Sequence, residues 1–398
     1  MRIAILADAF PPMRSAAALQ LYDLAREMIG HGHQVVALIA SPEIETPFVH
    51  EIVDGIDVLR LRTKRTKDVS LIQRAFSELL LSFDLLSNLK RSPFANTLWD
   101  GIIWYSPTIF LGYAVNQLKA KSNCRAYLVL RDIFPDWAVD LGLMTRGPAY
   151  YGFKLVETYQ YSVADCIGVQ SERNLPYLAN WAAKSGRRLE VLDNWLSPLE
   201  LSATSIDLSK THLAGRTILV YAGNVGIAQD LDKVLALVQE VRTRPDLGFV
   251  FVGRGSEAKR LKDKAAKLGL ENILFFDEIE AKEIRALYTQ CTIGIVSLDA
   301  RHQTHNIPGK FLSYMVSGLP VLAVINPGND LETMIQTHRV GVVAKAADPT
   351  SLKDALVTAL DLIEKDPEHM ARCKELADRI FHPSRAAQKI LDDLSLKA

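Results

Sequence analysis

Cysteine is scarce in this 398-residue chain and never clustered: Cys124, Cys166, Cys291 and Cys373 show no C-x-x-C spacing, and the nine histidines show no ligand spacing. That argues against a zinc site or a disulfide framework and fits a reducing compartment. Net charge is lacking too, with 46 basic residues against 46 acidic ones, so no global field points to nucleic acid. Long apolar runs are also missing. The most apolar window, Ile102–Val115, is broken by Pro107 and falls short of the roughly 20 residues that cross a bilayer. Met1–Ala7 runs straight into Asp8 without the apolar core and small-residue cleavage site of a secretory signal. The expectation is a cytoplasmic protein that is not integral to a membrane.

What is present reads as a globular enzyme. Hydrophobic residues make up 48% and charged residues 23%, and a chain of this length exceeds one hydrophobic core. Arg2–Ala7 has the near-continuous apolar character of a buried parallel strand. A Phe10-Pro11-Pro12 turn, a helical pattern through Leu19, Leu24, Ala25, Met28 and Ile29, and a strand from Gln34 to Ile39 complete a βαβ unit. Gly101–Tyr105, Ala126–Leu130 and Cys166–Gln170 are further strands. A second series starts at Thr217: strand Ile218–Ala222, a helix from about Leu231 to Arg242, strand Gly248–Val252, and later strands at Ile273–Phe276, Ile293–Ser297 and Pro320–Val324. The fold class is therefore α/β, with two Rossmann-like domains joined through the polar stretch Leu196–Arg216. We expect an N-terminal domain over 1–198 and a C-terminal one over 199–383, facing a cleft. The last helix, Ser384–Leu396, is placed with neither by sequence.

Three segments have the character of phosphate loops. Tyr221-Ala-Gly-Asn-Val-Gly226 joins a strand to a helix, where glycines allow close backbone approach and a helix N-terminus favours an anion; a tight turn is the plainer reading. Gly253-Arg-Gly-Ser-Glu-Ala258 matches G-x-G-x-x-A after a strand, with Asp277 about 20 residues on, the fingerprint of a nicotinamide oxidoreductase. Its place after the second strand of its half, and Arg254 between the glycines, weaken that rival reading. His305-Asn-Ile-Pro-Gly-Lys310 sets a cation at the start of a helix, unfavourable unless an anion sits there. Asp230-Leu231-Asp232 fits the D-x-D pattern of metal-dependent transferases, but Asp230 is better placed as a helix N-cap, and nothing else requires a metal. In the first half, Arg131 and Asp132 follow a strand end, where active-site groups gather, though a capped loop would place them there too. Finally, Leu59–Arg91 is basic and apolar together. It carries Arg60, Arg62, Lys64, Arg65, Lys67, Arg74, Lys90 and Arg91 beside Leu71, Ile72, Phe76, Leu79, Leu80, Phe83 and Leu86. A helix of that kind either lies in an anionic membrane interface or docks on its domain with a solvated basic edge.

Together these segments resemble a known family. Phe10-Pro-Pro12, Tyr221–Gly226, Phe251–Gly255, Gly269–Phe276, Leu287-Tyr288 and Ile307–Met315 occur in the order found in retaining GT-B glycosyltransferases of family 4. Tyr105–Phe110, Tyr127–Trp137 and Asp193–Trp195 look more narrowly like bacterial O-antigen transferases of the N-acetyl-L-fucosamine type. The resemblance implies transfer of a sugar, with retention, from a nucleotide diphosphate donor, UDP-linked, to a polyprenyl-diphosphate-linked saccharide at the inner membrane surface. It implies no metal and no separate cofactor. It puts the pyrophosphate at Gly223, Asn224 and Gly226 with Arg254 and Lys310 as cations, the base at Asp277, Glu278 and Ile279, and the sugar at the backbone of His305, Asn306 and Ile307. Arg131 and Asp132 stand where many members carry a histidine. His305 and Ser313 replace the family's two glutamates, which leaves Ser313 or a nearby carboxylate to hold the ribose. Asn224 and Gln229 replace its usual arginine and lysine. Rival readings are a non-hydrolysing UDP-sugar 2-epimerase on the same fold, a nicotinamide oxidoreductase, and a non-catalytic nucleotide-sugar binder.

Overall fold

Strands that are apolar on both sides demand cover on both sides, and each half of the chain meets that demand with a sheet between helical layers. The structure is a computed structural model that describes residues 1–13, 15–66, 69–198, 201–301 and 307–396. It divides into a first unit, Met1–Trp195 with Pro383–Ala398, and a second, Leu196–His382.

The first unit holds β1 (Arg2–Ala7), β2 (Gln34–Ser41), β3 (Phe48–Val53), β4 (Ile56–Arg62), β5 (Gly101–Tyr105), β6 (Arg125–Leu130), β7 (Cys166–Val169) and β8 (Arg188–Val191). They line up in the order β3-β4-β2-β1-β5-β6-β7-β8, all parallel except the hairpin β3–β4. That hairpin turns on Asp54 and Gly55, both at positive φ (48° and 84°), as a two-residue Asp-Gly connection requires. Along β6, Ala126, Leu128 and Leu130 face one core and Tyr127 and Val129 the other. The helices Leu71–Leu89, Gly112–Ser122 and Pro148–Val163 cover the first core; Ala16–Gly30 and Pro383–Leu394 cover the second.

The second unit holds β9 (Thr217–Ala222), β10 (Leu247–Val252), β11 (Ile273–Phe276), β12 (Ile293–Ser297), β13 (Val321–Val324) and β14 (Gly341–Val343), ordered β11-β10-β9-β12-β13-β14 and all parallel. This is the dinucleotide-fold order, which reverses direction between β9 and β12.

The structure corrects two expectations. Leu196–Arg216 is not a free polar linker, because Ile206, Leu208 and Leu213 are buried in the second unit's core. Leu59–Arg91 is not one helix. Leu59–Arg62 ends β4, where strand pairing with β2 and β3 holds it, and the helix begins only at Leu71. Several of its cations are also paired: Arg60 with Glu51, Arg65 with Glu43 and Arg74 with Glu78. Lys67 lies outside the described residues, as do the side chains of Leu71 and Ile72.

The last helix belongs to the first unit. Ala386, Ala387, Ile390, Leu391 and Leu394 enter the core that holds Leu21, Leu24 and Met28. Gly101 makes room for it: a Cβ there would lie 2.8 Å from Leu394 Cδ1. Its fully buried Asp393 accepts two hydrogen bonds from Arg125, at 2.9 and 3.3 Å. Removing one member of a buried ion pair strands the other. Asp393→Ala should therefore cost the first unit about 3–5 kcal/mol. All five tryptophans lie in that unit, so tryptophan fluorescence in a urea titration reads it alone; an unmoved midpoint would contradict this placement.

Candidate functional site

The second sheet reverses between β9 and β12, and in folds of this order ligands bind beyond the carboxyl ends of the strands at that reversal. The loop after β9 is short and crowded. Gly223 adopts φ +139°, and Gly253 and Gly255, in the loop after β10, adopt +144° and +154°. A Cβ on Gly253 would lie 2.0 Å from the Gly223 carbonyl oxygen, and one on Gly255 2.2 Å from that of Val225. The amide of Val225 donates to the Arg254 carbonyl (2.9 Å) and that of Glu257 to the Val225 carbonyl (3.0 Å). The G-x-G spacing that resembled a dinucleotide fingerprint thus serves to press one loop's backbone onto the other's.

This packing uses up most of the expected amide cradle. Gly223 N–H donates to the Val252 carbonyl (2.9 Å), Val225 N–H is committed as above, and Gly226 N–H donates to Gln229 Oε1 (3.1 Å). Asn224 Nδ2 shares the same Gln229 oxygen at 3.3 Å. Of the amides in Gly223–Gly226, that of Asn224 alone has no partner among the described residues.

The free positive charge lies elsewhere. Lys310 is the second residue of the helix Gly309–Ser317. Its stem packs on Gly223, where a Cβ would stand 3.5 Å from Lys310 Cε, and its ammonium sits 4.8 Å from the Tyr221 ring centroid. No carboxylate among the described residues pairs with it. Burial alone pushes its pKa from 10.5 down to about 8. A half-buried cation at a helix N-terminus, beside the Gly309 and Lys310 amides while that of Phe311 donates to the Pro308 carbonyl (2.9 Å), is poised for an anion.

The other expected residues divide around this point. Arg254 is exposed and ion-paired with Glu278 at 2.9 Å, an arrangement of small worth that a ligand can replace. Asp277 is exposed, while Ile279 packs against the core and Ile307 is buried in it. Ser313 donates to the Lys310 carbonyl (2.9 Å) and lies 3.4 Å from the Tyr288 hydroxyl, so its hydrogen is already used within the helix. His305 and Asn306 lie outside the described residues.

Asp230 does not cap the following helix. It sits at φ +42° and the helix starts at Asp232, with Leu231 in the cap position and no side-chain cap. The left-handed turn that ends the loop displaces Asp230 from the geometry a cap needs. Asp232 is held by Arg260 and Lys264, which keep its carboxyl at about 2. Sequence reasoning passed over Lys233. It too is a lysine in the first turn of a helix, the signal that singled out Lys310, yet it is buried and donates to the Leu298 carbonyl at 2.6 Å.

In the first unit, Arg131 is 6% exposed, inside the sheet edge rather than open at it. Its guanidinium lies 4.5 Å from the Trp195 ring centroid, and Nη1 donates to the Leu192 carbonyl (2.9 Å). Gln170 donates to the Arg131 carbonyl (2.7 Å), Tyr105 to Gln20 (2.7 Å), Trp195 to the Gln20 carbonyl (2.7 Å), and Gln20 in turn to Asn194. Burial pushes the Tyr105 hydroxyl up to about 12. The segments Tyr105–Phe110, Tyr127–Trp137 and Asp193–Trp195 thus meet in one buried network that fixes where the chain leaves this unit. Asp132, half-buried beside it, receives a 3.4 Å hydrogen bond on its carbonyl from Ser106.

Residues 206–379 match the family of glycosyl transferases group 1. The chain is 23% identical over 317 residues to WbjE of Pseudomonas aeruginosa, named a glycosyltransferase, covering 77% of this chain and 76% of that one. It is 23% identical over 312 residues to WcaI of Escherichia coli K12, named for colanic acid biosynthesis, covering 74% of each. Its structure is similar to that of Anabaena Alr3699/HepE in complex with UDP-glucose, with a TM-score of 0.70, 14% identity and 99% of both chains covered. The group 1 match favours glycosyl transfer over the oxidoreductase and epimerase readings. With its two Rossmann-like sheets the chain shares the GT-B fold, and its second unit is similar to the group 1 glycosyl transferases.

Proposed function

We propose that the chain transfers a sugar from a UDP-sugar to a polyprenyl-diphosphate-linked saccharide at the inner membrane surface, in O-antigen, capsule or exopolysaccharide synthesis. N-acetyl-L-fucosamine or a related amino or deoxy sugar is the proposed group transferred. The observation that carries the donor half is Lys310, a half-buried ammonium with no carboxylate partner among the described residues, at a helix N-terminus beside the Gly223 turn. In this reading the diphosphate sits on Lys310 and the first amides of its helix. Asn224 N–H and Arg254 approach from the facing loops, Arg254 leaving Glu278 to do so. Negative charge builds on the diphosphate as the glycosidic bond breaks, and fixed cations and amides stabilise it without reorganising. Asp277, Glu278 and Ile279 border the base; Ser313 accepts from a ribose hydroxyl; His305, Asn306 and Ile307 line the sugar. The relatives' names favour polysaccharide synthesis, and the UDP-glucose held by the Anabaena protein favours a uridine donor. On the acceptor side, Asp132 is the proposed catalytic residue, and Arg131 holds that strand end in shape.

The membrane reading is supported by one face of the first unit. Phe76 (59% exposed), Leu79 and Phe83 stand outward on Leu71–Leu89. Phe83 stacks 4.8 Å from Tyr113 of the next helix, whose Asn116 bonds Tyr159 of Pro148–Val163 (3.4 Å), and that helix exposes Tyr151 and Leu155 (74%). Lys64 lies 4.9 Å from the Phe76 ring centroid. An exposed apolar face of this extent, with lysine at its rim, fits an anionic lipid surface. Among the described residues no helix is long and apolar enough to cross a membrane.

Two outcomes test these readings. Lys310→Ala should lower kcat/KM for UDP-N-acetyl-L-fucosamine by roughly 10- to 150-fold, the worth of one charge-assisted hydrogen bond to phosphate, with melting temperature nearly unchanged. The ammonium persists below about 8, so UDP affinity should be greatest there and fall as pH rises through that value. Between about 8 and 10.5 the unfolded lysine holds more proton than the folded one, so stability of the free chain rises with pH over the same window. Calorimetry of UDP from pH 6 to 9.5 reads the first slope. A flat profile, or an active Lys310→Ala, would contradict the site.

For the membrane, Phe76→Asp, Phe83→Asp and Leu155→Asp should each weaken sedimentation with phosphatidylglycerol vesicles, and added salt should weaken it further, by about 1 kcal/mol per basic residue at the surface. Vesicle binding untouched by all three would remove this face from the account.

A further inference from the structure

We infer that Tyr221 is a positioning residue for the donor diphosphate, its ring face steadying the Lys310 ammonium where a carboxylate would otherwise stand; this rests on the donor-site reading above. Tyr221 is the next-to-last residue of β9 and is wholly buried. The Lys310 ammonium stands over its ring, 4.8 Å from the centroid. The face of an aromatic ring carries negative potential, and a desolvated cation gains from it. A carboxylate in that place would repel an incoming phosphate and compete with it for the cation. A ring has no net charge to repel an anion. It also takes only one side of an ammonium that has three N–H groups to donate.

The ring is fixed along its whole length. Tyr221 pairs with Phe251 across β9 and β10, and the two ring centroids stand 5.7 Å apart. Its hydroxyl donates to the Asn224 carbonyl at 2.5 Å, and the other end of that peptide, Val225 N–H, donates to the Arg254 carbonyl. The tip of the side chain therefore pins the loop that carries the Asn224 amide, while its ring holds the cation. Among the described residues no other group gives Lys310 a negative partner. Ser313 donates to the Lys310 carbonyl, Tyr288 reaches Ser313, and the Tyr314 hydroxyl donates to the Val220 carbonyl. Burial holds the hydroxyls of Tyr221, Tyr288 and Tyr314 well above the ordinary tyrosine range, so all three stay neutral. On the facing loop, Glu278 is paired with Arg254.

Ring fluorination tests the inference, because it weakens the negative face with little change of shape. Tyr221→Phe, which keeps the ring, is the reference, and phenylalanines with two and three ring fluorines then replace it at the same position. Burial has already brought the Lys310 pKa down to about 8. The ring favours the ammonium, so weakening it lowers that value further. In calorimetry of UDP from pH 6 to 9.5, the midpoint of the pH-dependent loss of affinity should fall with each added fluorine, by roughly 0.3 to 1 unit over the series, the worth of a desolvated cation–π contact expressed as a pKa. At pH 6, where Lys310 is charged in every variant, affinity should stay within about threefold. A ring-fluorinated tyrosine in place of Tyr221, set against the wild-type chain, makes the same comparison if Tyr221→Phe does not fold. A midpoint indifferent to fluorine, or an affinity lowered equally at pH 6 and pH 9, gives the ring a packing role only and overturns the inference while the donor site stands. A wild-type chain that binds UDP with a flat pH profile, or not at all, overturns the donor-site reading and this inference with it.

Discussion

The contact between two glycine backbones governs the second unit. Gly253 can approach the Gly223 carbonyl only because it carries no Cβ, and the same holds for Gly255 against the Val225 carbonyl. Any side chain at 253 or 255 would demand a shift of backbone against backbone. From this contact follow the exchange of hydrogen bonds between Val225 and Arg254, the occupancy of the Gly223 and Val225 amides, and the room for Lys310 to lie across Gly223. A loop that has given its amides to its neighbour cannot cradle a diphosphate alone, and the proposed donor site therefore rests mainly on the cation and the helix N-terminus at Gly309 and Lys310. That arrangement fits a chain with Asn224 and Gln229 where the family resemblance implies arginine and lysine: Asn224 Nδ2 and the Gly226 amide both donate to Gln229 Oε1, which holds the loop closed.

Several charges around these loops are neutralised locally: Asp232 by Arg260 and Lys264, Asp299 by Arg301, and Arg254 by Glu278. Lys310 has no carboxylate partner among the described residues, and the two first-turn lysines diverge. Lys233 is spent on a backbone carbonyl and flanking acids; Lys310 is not. Sequence supports the same dipole argument for both, and only the fold distinguishes the one that fastens a loop from the one left for a ligand.

Most of the architecture was legible because buried parallel strands are written as unbroken apolar runs: β1, β2, β5, β6, β9, β10 and β12 fall where such runs do. The hairpin β3–β4 was missed, since Phe48–Val53 mixes His50 and Glu51 into an edge strand, although Asp54-Gly55 between hydrophobic segments was a usable turn signal. Leu196–Arg216 misled because its three buried residues are too widely spaced to show a period. At the site, residue types pointed to the loops but not to their commitments. Nothing in Tyr221–Gly226 reveals which amides another loop will consume, and Asp230 met every sequence criterion for a cap but sits in the left-handed region. Arg131 read as an active-site cation because it follows a strand end, but tertiary packing sealed it under Trp195.

The central claim is that the donor diphosphate rests at the N-terminus of the helix Gly309–Ser317 and not inside the Gly223 turn. A crystal structure of the chain with UDP tests it most directly. The account predicts phosphate oxygens within hydrogen-bond distance, about 2.7–3.2 Å, of Lys310 Nζ and the first amides of that helix, with the Gly223, Val225 and Gly253 backbones unmoved. UDP phosphates bound away from Lys310, or a Gly223 loop reopened to offer its amides to them, would contradict it.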